Sequence, residues 1–167
     1  MTSTSKHSVR LETLLSTKRE DLPKGIRYVT GGSIFHPNTS KLLILKRAST
    51  DVFPGYWEVP GGSMEPNETV LEGLSREVLE ETGLIVESVV YRLEDNELED
   101  NGRKWVQFHF VVEVKDVSKI RLDPKEHEEW MWAREEDVQP LLRLPGQRRV
   151  MEEGFQFMRE KGRGGKL

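Results

Sequence analysis

Apolar and polar positions along this chain change rhythm several times, and each change marks an element. Residues 9–22 (VRLETLLSTKREDL) predict a short helix that Pro23 closes off. Residues 26–36 (IRYVTGGSIFH) are rich in β-branched and aromatic side chains and read as a strand. After the turn PNTS, residues 41–48 (KLLILKRA) form an apolar run of strand length, the pattern of a buried strand. A long Pro- and Gly-rich loop then covers residues 49–68. Residues 68–82 return to helical spacing, with Val70, Leu71, Leu74 and Val78 near one stripe and Gly83 as the C-cap. LIVESVVYRLEDNE and KWVQFHFVVEVK predict a strand pair around the acidic turn NELEDNGR, residues 96–103. Residues 121–138 hold a loop, a short strand and a helix start. In that strand Trp130 and Trp132 alternate about Met131 and read as core. Residues 147–160 read as a helix, and there is no internal repeat. Strands interleaved with helices predict a layered α/β or α+β domain.

A length of 167 residues fits one domain with short tails. The expected division is an N-terminal tail with a short helix over 1–24, a domain over 25–160 and a flexible basic tail over 161–167. Residues 1–8 are Ser/Thr-rich and read as disordered. The absence of cysteine excludes disulfides, thiolate zinc sites and a cysteine nucleophile together. A net charge of -4 argues against a nucleic-acid partner. No apolar run approaches the ~20 residues of a membrane span, and the first twenty residues hold no apolar stretch of the signal-peptide kind. The expected compartment is the cytoplasm, with the nucleus also compatible.

The chemistry concentrates in REVLEETG, residues 76–83. Glu77, Glu80 and Glu81 stand at helical i, i+3, i+4 spacing and share a face. Like charges so placed destabilise a bare helix by roughly 0.2–0.5 kcal/mol per pair. Arg76 offsets only part of that charge, and hard divalent cations accept several carboxylates at one site. Gly73, one turn earlier on the same side, would leave room for a ligand. Taken alone, the run is more often the mark of a solvated charged face.

The wider spacing decides between the two. Gly62, Glu68, Arg76-Glu77-Val78, Glu80-Glu81 and Gly83-Leu84 follow one another at intervals that resemble the Nudix box, G-x5-E-x7-R-E-U-x-E-E-x-G-U. All nine specified positions match, and the seven fixed ones would coincide by chance in roughly one chain per million. The segments KLLILKRASTDVFPGYWEVPGG and EHEEWMWAREEDV extend the resemblance over roughly residues 26–140. It implies the Nudix fold, a mixed sheet between helices. It also implies hydrolysis of a nucleoside diphosphate linked to another group, with two or three Mg²⁺ or Mn²⁺ ions. Carried over, Glu77, Glu80 and Glu81 would bind metal, as would the Gly61 carbonyl. Glu68 would lie near the metals, and Arg76 would hold the glutamates in register.

The general base varies within the family. Glu126 is the first candidate, Glu129 the second, and a box glutamate remains a third. His127 beside them is a possible proton-transfer group, though a lone loop histidine is more often a surface residue. For substrate contacts, Lys46 and Arg47 could reach a phosphate, and Phe53, Tyr56 or Trp57 could stack on a base. GYWEVPGG resembles nucleoside-triphosphate pyrophosphatases. ADP-ribose, nucleotide-sugar and diadenosine-polyphosphate hydrolysis are the alternatives, as is a module that senses a nucleotide without cleaving it. The family holds both monomers and dimers, and both stay open.

Overall fold

The computed structural model describes residues 10–141 and 143–164. In chain order the elements are α1 (Leu11–Ser16), β1 (Ile26–Ile34), β2 (Leu42–Arg47), β3 (Trp57–Glu58), β4 (Gly61–Ser63), α2 (Val70–Thr82), β5 (Val86–Arg92), β6 (Asn96–Asp100), β7 (Arg103–Val114), β8 (His127–Ala133), α3 (Glu135–Val138) and α4 (Pro145–Gly164). One sheet is ordered β4-β1-β7-β5, with β6 also on β7; the other is β3-β2-β8. The first is mixed, because β1 runs parallel to β7 and antiparallel to β4. A bridge from Phe35 to Leu42 links the two.

Strand β2 shows why the core has two halves. Leu42, Leu43, Ile44 and Leu45 are each fully buried. Successive side chains of a strand point to opposite faces. Leu43 and Leu45 therefore join the cluster under α2, with Leu74, Val78, Phe108 and Phe110. Leu42 and Ile44 join the cluster under α4, with Val150, Met151 and Phe155. Helices thus cover both faces, as expected, although the strands divide into two sheets.

Helix α2 is bounded as its sequence predicts. Thr69 Oγ1 accepts from the Glu72 N–H at 3.2 Å, and Glu72 Oε2 accepts from the Thr69 N–H at 2.7 Å. Such a capping box contributes about 1 kcal/mol. Gly83 ends the helix in the left-handed region, at φ 71, with its N–H donating to the Leu79 carbonyl. The predicted stripe needs one correction. Leu71 is 39% exposed, whereas Val70, Leu74, Val78, Glu77 and Glu81 are buried. Leu71 lies 100° round from Val70 and falls just past the buried arc.

Other expectations also shift. The long loop holds β3 and β4, too short to show a period. The acidic segment is an exposed edge strand, β6, and the turn itself is confined to Asn101-Gly102, both at positive φ. Trp130 is 42% exposed, so only Trp132 packs on the core. The N-terminal segment is no tail from residue 10 onward. Leu14 is buried in the main cluster, Thr17 accepts from the Val70 N–H at 3.0 Å, and the Arg19 guanidinium lies over Tyr28. Helix α4 continues through Lys161 to Gly164, past the expected boundary at 160. The remaining parts of both expected tails lie outside the described residues. No helix among the described residues is long and apolar enough to cross a membrane.

Leu14→Ala is expected to cost about 2–4 kcal/mol in urea unfolding, since it removes a buried leucine that α1 contributes to the core. A loss under about 0.5 kcal/mol, the level of an ordinary surface substitution, would show that α1 does not belong to the cooperative unit.

Candidate active site

The edge strand β4 and helix α2 come unusually close. A Cβ on Gly61 would sit 2.3 Å from the Thr30 carbonyl oxygen, and one on Gly62 would sit 2.5 Å from the Glu77 carboxyl group. At Gly61 the backbone of β1 leaves room for no side chain, and at Gly62 a side chain would have to displace Glu77. Glu81 also reaches the β4 backbone, where its Oε2 accepts from the Gly61 N–H at 2.7 Å. The structure thus shows the Gly61 amide bound to Glu81, where the sequence had suggested its carbonyl as a metal ligand.

Arg76 organises the rest of this face. Its Nη1 donates to Glu77 Oε1 at 2.8 Å and to Glu80 Oε2 at 3.1 Å. Its Nε and Nη2 clasp both oxygens of Glu68, at 3.1 and 2.9 Å. The expected register-holding role of Arg76 fits this geometry, and Glu68 is its partner. Gly73 serves Glu68 too: a Cβ there would meet Glu68 Oε1 at 2.7 Å. The room beside Gly73 is therefore filled by the protein's own carboxylate, not left for a ligand.

A second group of residues arrives from the other sheet. The turn DPKE is stitched by the Glu126 and His127 N–H groups donating to the Asp123 carbonyl, and the Glu126 carbonyl accepts from the Ala48 N–H at 2.8 Å. This docks the start of β8 on the end of β2. One ligand atom each from Glu81, Glu126 and His127 then lie within 4.8 Å of one another. Glu126 is exposed, and His127 is 1% exposed. His127 is thus no surface histidine.

Glu58 of β3 is the residue that sequence reasoning missed. It is buried, its Oε1 accepts from Arg47 Nη1 at 2.7 Å, and His127 Nε2 stands 3.0 Å from the same oxygen. The available signal was a lone charge between Trp57 and Val59, two apolar residues just ahead of the paired glycines.

Several expected substrate contacts have other partners. Arg47 is held by Glu58, by Asp51 at 2.6 Å and by the Val52 carbonyl at 2.6 Å. Lys46 and Glu129 stand opposite each other on β2 and β8 and pair at 2.5 Å, with Glu128 at 3.0 Å from the same ammonium. Neither a phosphate-binding Lys46 nor a catalytic Glu129 is prepared by this arrangement. Trp57 is buried in the cluster under α4. Phe53, by contrast, is 53% exposed and stacks on Tyr56, over which the Arg143 guanidinium lies.

Crowding shows in the proton affinities. Burial, reinforced by the charges of Glu58, Glu77 and Glu126, pushes the Glu81 carboxyl up to about 9 against the Gly61 hydrogen bond. Burial also raises Glu77, opposed by Arg76. Oxygen donors this close, two of them reluctant to ionise without a compensating charge, fit a hard divalent cation.

Two small sheets thus lie between helices, and Glu81 of α2 comes close to a carboxylate and an imidazole carried by the other sheet. The NUDIX domain family model matches residues 27–154, and the chain belongs to that family. The 8-oxo-dGDP phosphatase of Danio rerio is 34% identical over 92 residues, covering 55% of this chain and 26% of that protein. The match thus spans about a quarter of the length of that relative. The asymmetrical bis(5'-nucleosyl)-tetraphosphatase of Rattus norvegicus is 30% identical over 126 residues, covering 72% of this chain and 83% of that one. The MutT protein from Methanosarcina mazei Go1 has a similar structure, with a TM-score of 0.66 at 26% identity over 87% of this chain and 99% of that chain.

Two outcomes are expected from this geometry. Burial holds the Glu81 carboxyl above its ordinary 4.5, so its stabilising contribution is fully present below that pH and is lost as pH rises through about 9. A divalent cation offsets the loss. The gain in Tm on adding Mn²⁺ should therefore grow from pH 6 to pH 9 in differential scanning fluorimetry and shrink in Glu81→Gln. A gain independent of pH would contradict the assignment. Gly62→Ala should fold yet lower Mn²⁺ affinity about tenfold or more by titration calorimetry, because the new Cβ displaces Glu77.

Proposed function

We propose that this chain is a divalent-metal-dependent pyrophosphohydrolase that cleaves a diphosphate linkage in a nucleotide, with a (deoxy)nucleoside triphosphate as substrate. The convergence of Glu81 from α2 with Glu126 and His127 from the facing loop and strand carries this reading. Glu80 stands on the same helix, exposed beside Arg76. The four carboxylates of Glu77, Glu80, Glu81 and Glu126 would hold two or three Mg²⁺ or Mn²⁺ ions. When bound, such ions neutralise polyphosphate charge and render water nucleophilic at neutral pH.

The side chains divide the remaining work. Arg76 keeps Glu77 and Glu80 aimed at the site by binding both, and is itself braced by Glu68. Glu126 is the general base: it is exposed, and it reaches the carboxylates from outside helix α2. Displacement at phosphorus by water needs positioning and charge stabilisation more than covalent chemistry. The absence of cysteine is consistent with that. With Trp57 in the core, Phe53 and Tyr56 form the aromatic surface suited to a base. The names of the relatives support a nucleotide substrate: one is an 8-oxo-dGDP phosphatase, another a bis(5'-nucleosyl)-tetraphosphatase.

The test is phosphate and pyrophosphate release with Mg²⁺ or Mn²⁺. The panel holds normal and oxidised nucleoside triphosphates and diphosphates, ADP-ribose, nucleotide sugars and diadenosine polyphosphates. Pyrophosphate from a triphosphate is the expected product. Activity only on ADP-ribose, a nucleotide sugar or a dinucleotide would keep the chemistry and replace the substrate. Binding without turnover would make the chain a sensor. Glu80→Gln and Glu81→Gln are each expected to cut turnover about 100-fold or more with folding intact. Near-normal turnover in both would remove the metal assignment.

A further inference from the structure

One buried polar atom at the site has no partner. His127 Nδ1 is inaccessible and accepts no hydrogen bond among the described residues. The opposite ring nitrogen, Nε2, stands 3.0 Å from Glu58 Oε1, which also accepts from Arg47. A carboxylate only accepts, so Nε2 carries the ring proton and Nδ1 presents a lone pair. This is the arrangement of a metal-binding imidazole, whose second nitrogen donates to a carboxylate that fixes tautomer and ring orientation. A ligand atom of the ring lies within 4.8 Å of oxygens from both Glu81 and Glu126.

We infer that the imidazole of His127 is a nitrogen ligand to a divalent ion held by Glu81 and Glu126, with Glu58 as its orienting partner. The inference rests on the proposed metal site and deepens it. It also makes that position different in kind from an all-oxygen one. Mg²⁺ suits oxygen donors, whereas imidazole favours ions later in the first transition series. This position would therefore favour Co²⁺ most, and Mn²⁺ less strongly, over Mg²⁺. The β3-β2-β8 sheet, through Glu58 and His127, would then select the ion, while α2 supplies charge.

The probe is Mn²⁺ alone, read by pulsed electron paramagnetic resonance of the full chain. Bound Mn²⁺ is expected to show ¹⁴N modulation that changes to a ¹⁵N signature when histidine is isotopically labelled. His127→Gln is expected to abolish that modulation and lower Mn²⁺ affinity about tenfold or more, with a smaller effect on Mg²⁺. Glu58→Gln should retain the modulation while weakening binding. If His127→Gln fails to fold, labelling of the unaltered protein still decides whether histidine coordinates. Bound Mn²⁺ without nitrogen coupling, in a preparation with metal-dependent turnover, would overturn this inference and leave the proposed function standing. Failure to bind Mn²⁺ or Mg²⁺ at all would overturn both.

Discussion

The contact between Gly61–Gly62 and the glutamates of α2 is the constraint on which the rest depends. Any side chain at either glycine collides, with the Thr30 carbonyl in one case and the Glu77 carboxyl group in the other. The bare Gly61 lets β4 lie close on β1, and the bare Gly62 leaves the Glu77 carboxyl group its place against this edge strand. The backbone N–H of Gly61 then holds Glu81 in a fixed place. Helix position, carboxylate position and the turn through Pro60 are set together. Gly32 extends the same logic inward, where a Cβ would press on Val78, Val112 and Leu74 at 3.2–3.4 Å. Close packing of α2 on β1 is thus part of how the site is built.

This closeness has an electrostatic cost that the fold only partly offsets. Arg76 binds Glu68, Glu77 and Glu80, yet Glu81 lies deeper and takes its hydrogen bond from a neutral amide. Burying a carboxylate among other carboxylates favours its protonated form. A cofactor that carries positive charge converts that unfavourable position into a binding site. Stability and function are consequently opposed at Glu81, and joined once an ion is present.

The sequence made α2 legible because its information is local: a capping residue, a 3.6-residue period and a terminal glycine lie within one short stretch. The box spacing added chemistry to that stretch. Strands β3 and β4 were illegible because two or three residues cannot display alternation. Lys46, Arg47 and Glu129 looked available because a linear reading does not show that β2 and β8 align Lys46 with Glu129. Glu58 failed to register for the same reason, since it and His127 are 69 positions apart and meet only when β3 and β8 flank β2. Glu126 was singled out through resemblance, and the geometry sets it beside Glu81.

The division of the strands into two sheets gives the site its final character. Helix α2 and β4 belong to the first sheet's side, whereas Glu58, Glu126 and His127 ride on the second. An ion held by Glu81 and Glu126 would tie the two together across their junction. Affinity for that ion then depends on how the sheets sit against each other, which is fixed by β2 burying both of its faces. A cavity in β2 would loosen the ligands without touching any of them. The apolar run that reads as the plainest part of the sequence is therefore coupled, through sheet placement, to the most polar part of the structure.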